Sequence, residues 1–371
     1  MRLQLALVVG AAAAVVVAPI APAVADGSLS VRGVYYKERA TRVMQPMLDG
    51  MFEVGDRGLV STHLLVDAIT SASASAGAAA ATPFTERRYE AGAGYTHQLD
   101  RLKLGGDAKY STESDYKSLY LGARGELELN QKNTVLGLGG GISLDTIGTS
   151  TSGGLGMLTL DCKPGETRSE CSLTSLAVFG SASQILSPRA VLGVSVDVSR
   201  LDGYQSNPYR SAIAGDELVR ERHPTLRTRE AFAGSLRYYV KATETTLVGA
   251  YRYYRDTWKV HAHTPELRAI QQVGDGTDAT LGYRFHHQDG AFFYQDRYPS
   301  VDEPFISDDV KLSTFNSHTI EAKLGMLGEV FDLDGRWAGA RFEAILEYVV
   351  QHNRFGNAII AHAALTLPFD Y

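Results

Sequence analysis

From Leu59 to the end of the chain, apolar and polar residues alternate over long runs. Val60, Thr62, Leu64, Val66 and Ala68 oppose Ser61, His63, Leu65, Asp67 and Ile69. Tyr89, Ala91, Ala93 and Tyr95 oppose Arg88, Glu90, Gly92, Gly94 and Thr96. The pattern repeats with Leu104, Ala108 and Tyr110 against Lys103, Asp107 and Lys109, and with Leu119, Leu121 and Leu127 against Ser118, Arg124 and Glu126. It closes with Phe342, Ala344, Leu346 and Tyr348 against Arg341, Glu343 and Glu347, and then with Ile359, Ala361, Ala363, Leu365, Leu367 and Phe369 on one parity before Tyr371. Side chains point to opposite faces at successive strand positions, so each run predicts a β-strand with one unbroken apolar face. Further strands are predicted over 136–144, 173–185, 190–200, 229–240, 245–260, 262–272, 278–288 and 313–325.

The connections alternate too. Short ones at 99–101, 130–133, 187–189 and 241–244 take turns with long polar ones at 71–84, 146–172, 201–228 and 289–309. Short periplasmic turns and long extracellular loops are the arrangement of bacterial outer-membrane barrels. The predicted fold is therefore all-β: a transmembrane, antiparallel, up-and-down β-barrel over residues 59–371, with about fourteen strands (range about 12–16). A soluble sandwich would alternate as well, but would not make one set of turns systematically shorter. Residues 26–58 read less clearly, because both faces carry charge around Tyr35–Arg39; this N-terminal segment is expected to be a plug or an extra strand.

Composition places the chain rather than changing the fold. Arg2, the apolar run to Val24 and Ala23-Val24-Ala25 predict a signal peptide over residues 1–25, which a retained membrane helix would also resemble. No other stretch is long and apolar enough to be a transmembrane helix, so a spanning chain must cross as closed strands. The expected location is the bacterial outer membrane. A net charge of −6 and the lack of basic clusters interleaved with aromatics argue against nucleic acid. The two cysteines, Cys162 and Cys171, lie in one irregular segment and predict a local disulfide.

Several phrases resemble an uncharacterised bacterial family, domain of unknown function 3570. They include Gln131–Thr134, Gly203–Arg210, His223–Arg229, Tyr251–Trp258, Tyr283–Gln288, Ala291–Tyr294 and Asp309–Ser313, with a divergent form at Asp67–Ser73. The resemblance implies an outer-membrane β-barrel and assigns no chemistry.

His261, His263, His286 and His287 fall near one predicted rim and together could bind Zn²⁺ or Cu²⁺; the simpler reading is rim imidazoles facing water. The polar parity holds Arg88, Glu90, Asp107, Lys109, Arg124, Glu126, Arg252, Asp256, Glu343 and Glu347, expected to line the lumen as an ion-pair lattice that can also select solutes. Tyr251–Asp256 could bind sugar or peptide, but reads more simply as a girdle plus an interior ion pair. No G-x-S-x-G stands beside His97 or His362, and Gly139–Gly141 lies inside a strand rather than before a helix. The expected protein is therefore not an enzyme, has no cofactor, and serves as a channel or partner scaffold; the alternative is a surface-loop hydrolase or metal-binding protein. Expected partners are outer-membrane lipid, the barrel-insertion machinery reading Leu365, Leu367, Phe369 and Tyr371, and a periplasmic partner of unknown kind.

Overall fold

The computed structural model describes residues 26–39, 41–71, 84–149, 159–163 and 165–369. The predicted signal segment 1–25, nearly all of the 71–83 tract and the terminal Tyr371 lie outside the described residues. Sixteen strands form one closed antiparallel barrel. In chain order they are β1 Gly27–Lys37, β2 Thr41–Val54, β3 Gly58–Ser71, β4 Phe84–Leu99, β5 Leu102–Thr112, β6 Tyr116–Leu129, β7 Thr134–Ile147, β10 Cys171–Ser187, β11 Ala190–Gly203, β14 Leu226–Val240, β15 Thr245–Asp256, β16 His261–Gln272, β17 Thr277–Gln288, β18 Phe315–Leu327, β19 Arg341–Gln351 and β20 Ala358–Phe369. Two small hairpins stand in the long loops: β8 Leu160–Lys163 with β9 Glu166–Arg168, and β12 Ser211–Ala214 with β13 Glu217–Arg220.

The expected fourteen strands are all present from β3 onward, and the count is corrected to sixteen by β1 and β2. Residues 26–58 are thus wall, not plug. The charges that obscured them lie at a strand end: Lys37, Glu38, Arg39 and Arg42 surround the β1–β2 turn, while Arg32 and Asp49 pair across it on the inner face at 2.6 Å. Pro46 blurs the signal further, because it has no amide to donate and the β2–β3 pairing skips it. β1 closes the barrel against β20 in register from Gly27↔Phe369 to Lys37↔Ile359.

The apolar parity faces outward and stays exposed. Leu138, Leu176, Val178, Leu267, Leu281, Ile320 and Leu346 are among its side chains. Exposed aromatics mark two levels on it. Tyr89, Tyr110, Tyr251, Tyr283 and Tyr348 lie toward the rim with the long loops; Tyr95, Tyr238, Phe331 and Trp337 lie toward the rim where β1 begins and β20 ends. Connections on that terminal rim are short (55–57, 100–101, 130–133, 188–189, 241–244, 273–276), except for 328–340, which carries two 3₁₀ turns, Gly328–Phe331 and Gly335–Trp337.

The inner parity is polar, and its glycines let long side chains reach past a neighbouring strand. Arg268 of β16 reaches Glu321 of β18 at 3.3 Å, across Gly282 of β17. Arg341 of β19 reaches Asp278 of β17 at 2.5 Å, across Gly325 of β18. On the opposite arc, Tyr120 and Phe179 lie flat over Gly141 and Gly139, where a Cβ would overlap their rings. The glycine stripe of β7 therefore carries aromatic rings rather than leaving open lumen.

Candidate functional site

The site is the inner wall together with the folded cap above its long-loop rim. Most predicted lumen charges face inward and pair across strands. Arg88 lies 3.5 Å from Asp67, Glu90 3.6 Å from His63, Asp107 3.4 Å from Arg124, Glu126 3.6 Å from Lys103, and Glu347 3.5 Å from Arg284. Glu343 holds both Lys323 and Arg341, at 2.6 and 3.1 Å. Lys109 lies over the Tyr120 ring. Arg252 faces the Tyr254 ring at 5.8 Å, with no carboxylate in ion-pair range among the described residues. Asp256 takes a different partner from the one sequence proximity suggested: it receives Arg227 Nε at 2.8 Å, deep under the cap.

The four histidines do not converge. Strand parity turns His261, His263 and His287 outward and His286 inward, as the pairings His263↔His287 and Glu266↔Arg284 require. The outward rings belong to the girdle: Tyr251 Oη lies 2.6 Å from His263 Nδ1, and Tyr253 Oη 2.9 Å from His261 Nδ1. His286 instead meets Thr264 Oγ1 at 2.9 Å. Pro265 interrupts the β16–β17 pairing at 264–265, but the register is the same on both sides, so the alternation of faces runs through it. Among the described residues, the group able to converge on a metal is Glu86, Glu113 and Asp115, whose oxygens all lie within 4.8 Å of one another. Burial raises the Glu113 carboxyl, as do Asp115 and Asp67, while Arg88 lowers it.

The cap is built by loops that the sequence shows only as polar. The disulfide Cys162–Cys171 forms as expected, and with Leu160 it packs on Ile147 and Tyr204. Loop 204–225 reaches Asp115 through the Tyr209 hydroxyl. It meets loop 289–314 through the bridges Ala214↔Tyr298 and Arg222↔Ile306. Arg354 of the β19–β20 loop then ties to Asp308 at 2.6 Å. Trp258, Val260, Ala291, Phe293 and Leu312 form an apolar core under these contacts. Most of the phrases that carried the family resemblance meet here, though they are scattered along the chain.

At its centre, His223 places Nδ1 3.0 Å from the Gln205 carbonyl and Nε2 2.9 Å from Ser307 Oγ, between the Trp258 and Phe293 rings. The Glu221 carboxylate, fully buried, accepts Ser307 Oγ and the Asp308 amide. A Ser–His contact is suggestive of a nucleophile. However, Ser307 is fully buried and its hydroxyl already serves Glu221, so the trio ties the cap together instead of presenting an attacking oxygen.

Burial pushes the His223 imidazole below its usual range, against the pull of Glu221 and Asp309 and with Arg210 opposing protonation. The unfolded cap therefore binds a proton that the folded cap refuses once pH drops below about 6.5, and cap stability falls with pH from there. Protease cleavage within 204–225 should accelerate between pH 7.5 and 5.5 in the native chain. His223→Gln should flatten that slope; an equal slope in both would show that another group carries it.

Residues 4–354 match the profile of a family described as a protein of unknown function (DUF3570). No curated protein matches in sequence. Among solved structures, a bacterial polysaccharide outer membrane secretin shares the barrel fold at TM-score 0.53 and 9% identity, over 92% of this chain and 98% of that one. OccD3 (OpdP) of Pseudomonas aeruginosa aligns at TM-score 0.47 and 11% identity, over 93% and 91% of the two chains. OprD of the same organism aligns at TM-score 0.47 and 9% identity, over 94% of each. With the family profile covering nearly its whole length and the barrel now described, the chain belongs to the DUF3570 family.

Proposed function

We propose that this protein is a non-enzymatic outer-membrane channel for small charged solutes. One observation carries the reading: the sixteen-strand wall is apolar outside and charged inside. An apolar outer face bounded by aromatics suits lipid, where a charge at mid-depth costs about 2–4 kcal/mol. Barrels of sixteen strands enclose water rather than a packed core. Two cavities open on the inner wall, of about 360 and 530 Å³. The cap would sit outside the cell, with the terminal rim in the periplasm, where Leu365, Leu367 and Phe369 would be read during insertion.

Purified protein in planar bilayers should give discrete conductance steps, larger when residues 204–225 are replaced by a short linker that leaves all sixteen strands intact. No steps from either protein, with both showing a heat-modifiable gel shift, would overturn the channel reading.

A further inference from the structure

One arc of the inner wall carries an excess of positive charge. The adjacent strands β14 and β15 turn Arg227, Arg229, Arg237 and Arg252 inward against a single carboxylate, Asp256. Arg227 takes that carboxylate. Arg229 is half-buried, and its Nε has no partner. Among the described residues Arg252 makes no ion pair, and the Tyr254 ring lies 5.8 Å from its guanidinium.

In front of Arg252 lies the cavity of about 530 Å³. It exists because the wall is lined by small residues there: Ala233 is the register partner of Arg252, and Ala250 is its neighbour on the same face. The cavity's polar lining is Arg252, Arg284, His286 and the hydroxyls of Thr264, Ser317 and Thr319, with one carboxylate, Glu266. That carboxylate lies 3.0 Å from Arg268 Nε, which it shares with Glu321, and is outside ion-pair range of Arg252. Among the described residues Arg284 makes only long polar contacts, 3.5 Å to both Glu347 and Thr319.

A free guanidinium presents a planar donor fork that matches a carboxylate bidentately. Low-dielectric walls around it strengthen the attraction beyond its value in open water. The hydroxyls beside it suit the hydroxyls of the same ligand. We propose that this cavity binds a small hydroxylated carboxylate, with Arg252 as its principal anchor and Arg284 as the second cation. The proposal deepens the channel reading by naming a solute class, but binding can be measured whether or not the barrel conducts.

The test is calorimetric titration of the detergent-solubilised full chain with gluconate, with glucose and inorganic phosphate as comparisons. Gluconate should bind and glucose should not; phosphate should bind more weakly. Arg252→Gln should weaken gluconate at least about tenfold, the effect of one charged hydrogen bond. Ala233→Glu, which supplies an internal counter-ion while keeping Arg252, should do the same. Arg252 makes no ion pair among the described residues, so the gel shift of Arg252→Gln should be unchanged. No gluconate binding, equal binding in both variants, or a preference for phosphate would each overturn the proposal. In bilayers the same substitutions should shift the reversal potential toward cations. A conducting barrel that fails to bind gluconate would sink this inference and leave the channel standing; binding without conductance would do the reverse.

Discussion

Removing β1, residues 27–37, should abolish barrel formation and leave no heat-modifiable species. β1 pairs with β2 and β20 through eleven registered positions on each side, so its loss opens two ladders at once. The remaining fifteen strands cannot repair the gap antiparallel, because β2 and β20 run in the same direction: each is antiparallel to β1. Every unpaired amide and carbonyl left facing lipid costs several kcal/mol, and a row of them exceeds the whole stability of a typical domain. A plug in the same stretch would behave oppositely, since its removal would leave the barrel assembled and the lumen wider. A normal gel shift from the β1-deleted chain would therefore refute the sixteen-strand wall.

The second large effect is expected at Asp256. Its carboxylate accepts Arg227 and the Tyr254 hydroxyl on one oxygen, and the Trp258 and Val260 amides on the other. One side chain thus closes the turn at 257–260 and neutralises a guanidinium stacked 4.0 Å from the Trp258 ring. The Asp256 side chain is fully buried and that of Arg227 is 11% exposed. Removing one member of a buried pair costs about 3–5 kcal/mol, because the surviving charge stays buried without a partner. Asp256→Ala should lower the cap's urea midpoint, read by Trp258 fluorescence, far more than any surface change. Asp256→Asn keeps an acceptor for the turn amides and loses the charge, so it should fall between. If Asn matched Ala, the ion pair would carry the effect; if Asn matched native, the turn would. A native-like Ala variant would contradict the buried pair itself.

Legibility in sequence varied with the physics of each feature. The inward charges of β4 to β6 were readable because alternation there is uninterrupted and Gly or Ala fills the gaps. β2 and β16 were harder, since Pro46 and Pro265 interrupt pairing in mid-strand. Residues 226–228 at the start of β14 read as loop, because Arg227 and Thr228 are both polar. Their role emerges only when Arg227 meets Asp256, twenty-nine residues later in the chain. The histidines show the same limit: four imidazoles near one rim look convergent in one dimension, but parity sends three outward and one inward.

What the sequence by itself determined is which residues share a face, and hence that the strands have an apolar and a charged side. That follows from the two-residue period of extended backbone, a local property needing no partner. The tertiary structure alone decided the strand count, the cap, and which inward charges remain unpaired. Those depend on contacts between distant segments, such as Gly27 with Phe369 and Glu221 with Ser307. Such contacts are set by closure and register, which no single stretch of chain encodes.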